Sequence, residues 1–251
     1  MDAVLGAASA PYLNQLAQTY GLADASYGQS HPSLPNYLEL ISGSTQGVSD
    51  DGTGYRFSGP TLVDQLAAAG VGWRAYMEGL PSPCFDGPEA GDYAKKHDPF
   101  VYFSSITGSA SQCDRVVPFT QLSADLSAGA LPPFVWITPD LCHDGHDCDN
   151  ATMDAWLHDH LASLLASSWF AQDGLAIITW DEGEGDAGCC SGAHGGRILT
   201  IVISRRVPSH VTSDAAVDHA GVLRSIELLY KLQPLGDAAC ACSGDLTTLT
   251  G

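Results

Sequence analysis

Ser33 and Asn36 stand three residues apart in SHPSLPNYLELISGS (30–44), with prolines at 32 and 35 and an apolar run following. Ser and Asn are favoured where a helix begins, because their side chains meet unpaired backbone N–H groups, and Pro is favoured in the first turn. One reading is plain capping. The other uses the same geometry for chemistry, since a helix N-terminus offers free donors and a positive dipole end and so collects anions. A serine hydroxyl there is placed to attack phosphorus, with an asparagine amide donating to a phosphoryl oxygen.

Two other stretches carry candidate groups. IITW runs into Asp181 and Glu182, ahead of the Gly-rich GEGDAGCCSGAHGG. Adjacent carboxylates at a strand's carboxyl end suit a hard divalent cation, which takes oxygen ligands. A solvated acidic loop is the alternative, and it is the reading for Glu184 and Asp186, which lie further out. FVWIT runs into PDLCHDGHDCD (139–149), which crowds Asp140, His143, Asp144, His146 and Asp147 into one loop. Histidine there can donate to a phosphoryl oxygen, act as general acid or bind metal. The bland reading is a polar loop clipped by its two cysteines. His219 in VDHAGVLRSIE and His97 in YAKKHDPFVYF read, taken singly, as a cap and a loop residue. His194 can face the site from the loop after Glu182, whereas His158, His160 and His210 read as surface residues.

Helix and strand patterns alternate along the chain and position these groups. Helices are expected over 11–20, with Gly21 as the glycine after the helix end, and over 36–43, 61–70, 119–129, 152–170 and 219–232. Strands are expected over 71–78, 132–139, 174–182 and 197–204. Mostly continuous apolar strands between helices imply a parallel or mixed sheet covered on both faces, in one domain spanning 1–251. In such sheets ligands bind beyond the carboxyl ends of the strands, where the candidate residues lie. Residues 79–117, rich in Gly, Pro and Ser, read as a long excursion.

Composition narrows the partners. The 251 residues carry a formal net charge of −19, with 10 Lys and Arg against 29 Asp and Glu. That excludes nucleic acid as an expected partner, since phosphate backbones call for basic patches. It also disfavours adsorption to anionic membranes. An acidic chain can still take a phosphorylated small molecule if a metal supplies the positive charge. No apolar run approaches the roughly 18 residues of a membrane span. MDAVLGAASAPYL lacks the basic and apolar regions of a signal peptide. Yet the 8 cysteines, Cys84, Cys113, Cys142, Cys148, Cys189, Cys190, Cys240 and Cys242, read as disulfides of an extracytoplasmic protein. About 105 pairings are open in principle. Cys142 and Cys148 bracket a short loop and Cys84 and Cys113 a longer one. No CxxC pair points to zinc.

HPSLPNYLELISGSTQGVSDD, YAKKHDPFVYF, ITPDLCHDGHDC, IITWDEGEGD and DHAGVLRSIELLYKL occur in this order. Together they resemble the phosphoesterase family of bacterial acid phosphatases and phospholipase C enzymes, within the alkaline-phosphatase-like superfamily. The chain is especially similar to small secreted actinobacterial acid phosphatases, some of which act on phosphoinositides. The resemblance runs over almost the whole chain. It implies a three-layer α/β/α sandwich with a mostly parallel central sheet, and metal-dependent hydrolysis of phosphoric esters through a phosphoseryl intermediate. It makes Ser33 the nucleophile and Asn36 a donor to the phosphoryl group. Asp181 and Glu182, with Ser33, become ligands of a divalent metal ion, and His146, His219 and His97 surround the phosphoryl group, with His219 a candidate acid for the leaving oxygen. The implied substrate is a phosphorylated small molecule or a phospholipid headgroup.

Relatives open with a β-strand ending in a Glu-Asn-Lys/Arg-Ser-like segment whose Glu and Asn complete the metal site. MDAVLGAASAPYLN looks like the stretch just after it, so that first strand and two ligands are expected to be missing from this chain. The alternatives are a phospholipase C-type diesterase and a metal-poor relative that only binds phosphorylated ligands. A serine esterase is disfavoured because no GxSxG elbow surrounds Ser33.

Overall fold

A computed structural model of the chain describes every residue except Asp2, Ser191 and Pro208. The chain runs α1 (Pro11–Thr19), β1 (Gly21–Tyr27), α2 (Ser33–Ser42), α3 (Leu62–Ala68), β2 (Trp73–Met77), β3 (Glu89–Ala90), β4 (Tyr93–Ala94), α4 (Ser104–Thr107), α5 (Ala110–Cys113), β5 (Val116–Pro118), α6 (Leu122–Ala128), β6 (Phe134–Thr138), α7 (Asn150–Leu165), α8 (Ser168–Asp173), β7 (Leu175–Ile178), β8 (Arg197–Ser204), β9 (Val211–Ser213), α9 (His219–Leu229) and α10 (Thr247–Thr250). Strands β5-β2-β6 form one sheet, β7-β8-β1-β9 another, and β3-β4 a small ladder. The first is wholly parallel. In the second, β9 runs parallel to β1, and β8 runs antiparallel to β1 and β7.

Alternation along each strand sends side chains to two faces. Phe134 and Trp136 of β6, and Leu175 and Ile177 of β7, pack with residues of α2, α3, α9 and α10. Val135, Ile137, Ala176 and Ile178 pack instead with residues of α1, α6, α7 and α8. The result is the expected three-layer α/β/α arrangement. Helix α2 has little choice of orientation, since Leu34, Leu38 and Ile41 are all fully buried. Each buried side chain of this size contributes about 1.5–3 kcal/mol.

Several local expectations needed correction. Gly21 directly follows the C-cap Tyr20 of α1, as expected, but it also opens β1, where an added Cβ would lie 3.0 Å from the Val202 carbonyl and 3.2 Å from Leu249 Cβ. Strand β1 itself, GLADASY, has no β-branched residue and only small side chains in its short alternation to announce it. The helix expected over 152–170 is two, because Ser167 accepts a hydrogen bond from Phe170 N–H and starts α8. Strand β6, expected to be buried, is half-buried over residues 134–137, as β7 is over all four of its residues.

Disulfides join Cys84 to Cys113 and Cys142 to Cys148, as the bracketing suggested, and also Cys189 to Cys190 and Cys240 to Cys242. The 79–117 excursion is less loop-like than its composition implies. Phe100, Val101, Tyr102 and Phe103 are fully buried in the same core as α2. Lys95 is buried too, its ammonium donating to the Thr53 carbonyl at 2.7 Å and pairing with Asp86 at 2.6 Å.

Three carboxyls are held in this core at a cost that depends on pH. Burial, then Asp237 and Asp218, pushes Glu39 of α2 up to about 8. Burial likewise pushes Glu227 up to about 7. It lifts Asp98 to about 7 against the hydrogen bonds that oppose it. A carboxyl raised in the folded state favours folding fully below its unfolded pKa, and that contribution is lost as pH rises through the folded value. Thermal melts should therefore show Tm falling from pH 5 to pH 8.5, and Glu39→Gln should flatten that fall.

Candidate active site

The site is built where loop 28–32 meets loop 181–196. Gly195 donates to the Gly28 carbonyl at 2.9 Å, His194 N–H to Gln29 O at 3.0 Å, and Gly28 N–H to Gly196 O at 2.9 Å. Glycine is required for this contact, because a Cβ on Gly28 would sit 2.6 Å from the Gly195 carbonyl and one on Gly195 would sit 2.5 Å from that of Ser30. Asn36 braces the first loop from within α2. Its Oδ1 accepts from Gln29 N–H at 2.7 Å and Ser30 N–H at 3.0 Å, and its Nδ2 donates to Ser30 O at 2.7 Å and Pro32 O at 3.0 Å. Both amide hydrogens are thus committed to the loop. The side chain expected to donate to a phosphoryl oxygen here positions the backbone around Ser33.

Ser33 is the first residue of α2, and its hydroxyl donates to Glu182 Oε1 at 3.3 Å. Glu182 Oε2 is hydrogen-bonded to His31 Nδ1, and His31 Nε2 meets the Gly185 carbonyl at 3.0 Å. Burial opposes the His31 cation, but Gly185 and Glu182 outweigh it and raise its pKa. One N–H of the first turn is already used, as Leu34 N–H donates to Asp51 Oδ1 at 2.9 Å.

His219 opens α9, whose cap Asp218 accepts from Gly221 N–H at 2.9 Å. The His219 ring is fully buried, and its Nε2 lies 3.0 Å from the Trp180 carbonyl. A carbonyl can only accept, so Nε2 carries the proton and Nδ1 presents a lone pair. Burial pulls the ring down to about 4, so it stays neutral. His219 Nδ1 and Asp181 Oδ2 are both buried with no hydrogen-bond partner. Tyr37, one turn after Ser33, is half-buried. Desolvation of its hydroxyl, then Asp181, Asp144 and Glu182, raises its pKa well above the ordinary value. Those three carboxylates therefore share one neighbourhood.

His97 stacks on Tyr37 with centroids 5.0 Å apart, and its Nδ1 lies 3.0 Å from Asp144 Oδ2, while its buried Nε2 has no partner. His146 sits further out. Its Nδ1 pairs with Asp147 at 2.6 Å, its Nε2 lies 3.3 Å from Lys96 Nζ, and its ring centroid is 6.1 Å from that of His97. Lys96 in turn reaches Asp51 Oδ2 at 3.2 Å. Beside Lys96 and Asp51 opens a groove of about 250 Å³, also lined by Thr53 and, from the excursion, by Pro88 and Glu89.

Other candidates resolve differently. His143 Nδ1 lies 3.0 Å from both Glu78 and Asp140, and Trp156 Nε1 donates to Glu78 at 2.8 Å, which makes a self-paired cluster. His194 turns to the Gly192 carbonyl of its own loop at 2.9 Å. The sequence reading missed His31, Tyr37, Asp51 and Lys96. Only Lys96 left a signal, as a cation next to His97 in a chain with few cations.

A cation fits the remaining donors. Asp181 Oδ2 and His219 Nδ1 are unpartnered and buried, Glu182 follows Asp181 directly and is touched by Ser33, and a ring N–H held by a backbone carbonyl is how metal-binding histidines are oriented. The set is not drawn tight. Among the described residues, the groups with ligand atoms within 4.8 Å of one another are Glu78, Asp140 and His143, and Cys189, Cys190 and Asp218, whose cysteines are disulfide-bonded.

The fold is that of the alkaline phosphatase superfamily. A superfamily member from Vibrio parahaemolyticus aligns over 93% of this chain and 64% of its own, with TM-score 0.57 and 16% identity. The phosphonate monoester hydrolase SpPMH from Silicibacter pomeroyi aligns over 97% and 73%, with TM-score 0.57 and 12% identity. The phosphoesterase family model matches residues 3–233, and the chain belongs to that family. It is 31% identical to a phosphatidylinositol-3-phosphatase of Mycobacterium tuberculosis over 95% of this chain and 76% of that protein. It is 28% identical to a phosphate-repressible acid phosphatase of Penicillium chrysogenum over 92% of this chain, and spans 57% of that relative's length.

Replacing Asn36 by Ala strips partners from two backbone N–H and two carbonyl groups. Unsatisfied buried polar groups cost about 1–3 kcal/mol each, softened where water can enter. Urea denaturation of Asn36→Ala should show a loss of at least about 2 kcal/mol, and an unchanged midpoint would remove the bracing role.

Proposed function

We propose that the chain is a metal-dependent phosphomonoesterase that works through a phosphoseryl intermediate on Ser33. The observation that carries this reading is the Ser33 hydroxyl at the start of α2, bonded to Glu182, which directly follows Asp181 in the chain, together with the buried and unpartnered Asp181 Oδ2 and His219 Nδ1. The neighbourhood holds Asp51, Asp144, Asp181 and Glu182, so a phosphate dianion would meet repulsion without a cation there. Asp181, Glu182, His219 and Ser33 are the residues that would hold one. When bound, a divalent ion supplies positive charge that neutralises phosphoryl oxygens and favours the serine alkoxide.

The chain's own groups do the rest. Ser33 Oγ forms a bond to phosphorus and gives its proton to Glu182 Oε1, which His31 steadies through Oε2. The bond from phosphorus to the ester oxygen breaks, and that oxygen takes a proton at the rim, where Lys96 and His146 lie. Water then bonds to phosphorus, the Ser33 Oγ–P bond breaks, and Ser33 and the rim recover their protons. One ester and one water yield one alcohol and one phosphate. Backbone N–H groups at the start of α2 and His97 stabilise the charge that develops on the oxygens, the main demand of phosphoryl transfer. His219, neutral and already donating to Trp180, suits a ligand better than the leaving-group acid first considered for it.

The groove beside Lys96 sets the alcohol side of the ester. Asp51, Thr53, Glu89 and Lys96 in its lining offer hydrogen-bond partners to a phosphorylated polyol, such as a phospholipid headgroup. The mycobacterial relative, by name a phosphatidylinositol phosphatase, supports that choice. The four disulfides support an extracytoplasmic setting.

p-Nitrophenyl phosphate turnover, measured with added divalent cations, with a chelator, and in Ser33→Ala, tests the proposal. Turnover should need the cation and fall by at least about a thousandfold in Ser33→Ala, as expected for loss of a nucleophile. Retained turnover in Ser33→Ala would sink it. Faster cleavage of bis-p-nitrophenyl phosphate would move the reading to a diesterase.

A further inference from the structure

Loop 181–196 carries its own clasp. Cys189 and Cys190 are neighbours in the chain and are joined to each other. Cys190 is held at φ +60°, in the left-handed region that suits glycine. The clasp sits on the stem of the loop. Cys189 N–H donates to the Ala193 carbonyl at 3.1 Å and Gly196 N–H to the Ala187 carbonyl at 2.9 Å, so residues 187–189 lie back against 193–196. The outer side of that stem is the side that meets loop 28–32, through His194 to Gln29 and Gly195 to Gly28. One layer of backbone hydrogen bonds therefore separates the disulfide from the contact that places Ser33.

A buried carboxylate faces the clasp. The two sulfurs and a carboxylate oxygen of Asp218 lie within 4.8 Å of one another. Asp218 is only 1% exposed. Its Oδ1 accepts from Gly221 N–H at 2.9 Å, while Oδ2 is buried with no hydrogen-bond partner. The neighbouring Ser243 hydroxyl donates to the Asp237 carbonyl at 3.3 Å. A disulfide has no hydrogen to give, whereas a thiol is a donor. The oxidised pair leaves Asp218 unanswered, and a reduced pair supplies the missing donor.

We propose that Cys189–Cys190 is a redox-active site, opened by dithiols, and that its opening slackens loop 181–196 and loosens the contact with loop 28–32. This switch is independent of the reaction assigned to Ser33. In the exchange, a thiolate of the reductant bonds to one cysteine sulfur and the Cys189–Cys190 bond breaks. The second thiol of the reductant then displaces that cysteine and closes its own disulfide. Two electrons and two protons pass to the protein, which gains two thiols. Three features favour this disulfide as the one that opens. A cross-link stabilises less the shorter the loop it closes, and here the two cysteines are 1 residue apart, against 29, 6 and 2 for the others. Opening lets Cys190 leave a backbone region that costs a side chain energy. It also gives Asp218 a donor. Relaxation of Cys190 redirects the chain between Cys189 and Ala193, whose bond closes the stem. The contact that places Ser33 would thus be firm in oxidising surroundings and slack where dithiols abound.

Hydrogen exchange with and without dithiothreitol, combined with alkylation and peptide mapping of the freed thiols, tests the switch. Cys189 and Cys190 should be alkylated before Cys142 and Cys148 and before Cys84 and Cys113. Exchange at 28–30 and 193–196 should then speed up by at least about tenfold, with β8 still protected, and reoxidation should restore it. The double variant Cys189→Ser, Cys190→Ser should exchange fast at the same residues without reductant and respond no further to it. The double variant Cys240→Ser, Cys242→Ser should respond as the unaltered chain does. Full alkylation of Cys189 and Cys190 with unchanged exchange would overturn the switch, and so would first opening at Cys142–Cys148 or Cys84–Cys113. A dithiothreitol response that survives in Cys189→Ser, Cys190→Ser, or that is lost in Cys240→Ser, Cys242→Ser, would assign the effect to another disulfide and overturn it equally.

Discussion

The close approach of loop 28–32 to loop 181–196 governs everything else in this molecule. It is a backbone contact, made by Gly28 and Gly195, at positions where any Cβ would strike a carbonyl oxygen. Because of it, a serine at the start of one helix touches a carboxylate 149 residues later in the chain. Asn36 stiffens the contact from the helix side by satisfying two backbone donors and two backbone acceptors of the loop it faces. The nucleophile candidate is thus placed by amide accounting rather than by side-chain packing.

Electrostatics then sets the chemistry. The site concentrates carboxylates around one buried hydroxyl, with His31, His97 and Lys96 as partial answers at its border. His31 is drawn towards its charged form, while His219 is kept neutral by burial. Two imidazoles of the same intrinsic basicity therefore take opposite tasks within one site, one pairing with a carboxylate and the other offering a lone pair.

Much of this was legible in the sequence where punctuation is local. Pro, Ser and Asn marked the start of α2, and strong apolar runs marked β6, β7 and β8 with the polar groups that follow them. The family resemblance supplied the three-layer fold. What escaped depends on distant partners. Strand β1, with its Ala, Asp and Ser, is held as a strand by β8 on one side and β9 on the other, with Ala23 packed in a cluster with Leu40. Context of that kind overrides strand propensity. His31 gains its partner only when Glu182 arrives from 151 residues away. Asn36 was read as a donor to substrate because its spacing from Ser33 is visible, whereas its four bonds to the preceding loop are not.

The anchoring of the 79–117 excursion bears on how this site can diversify. One wall of the groove beside Lys96 belongs to a segment tied by Cys84–Cys113 and rooted in the main core by residues 100–103. Surface loops ordinarily tolerate insertion and wholesale exchange. Here an exchange would pull four large side chains out of the packing beneath α2. New substrate preferences should therefore arise by single replacements along the groove lip, at positions such as Pro88 and Glu89, with the length of the segment held constant.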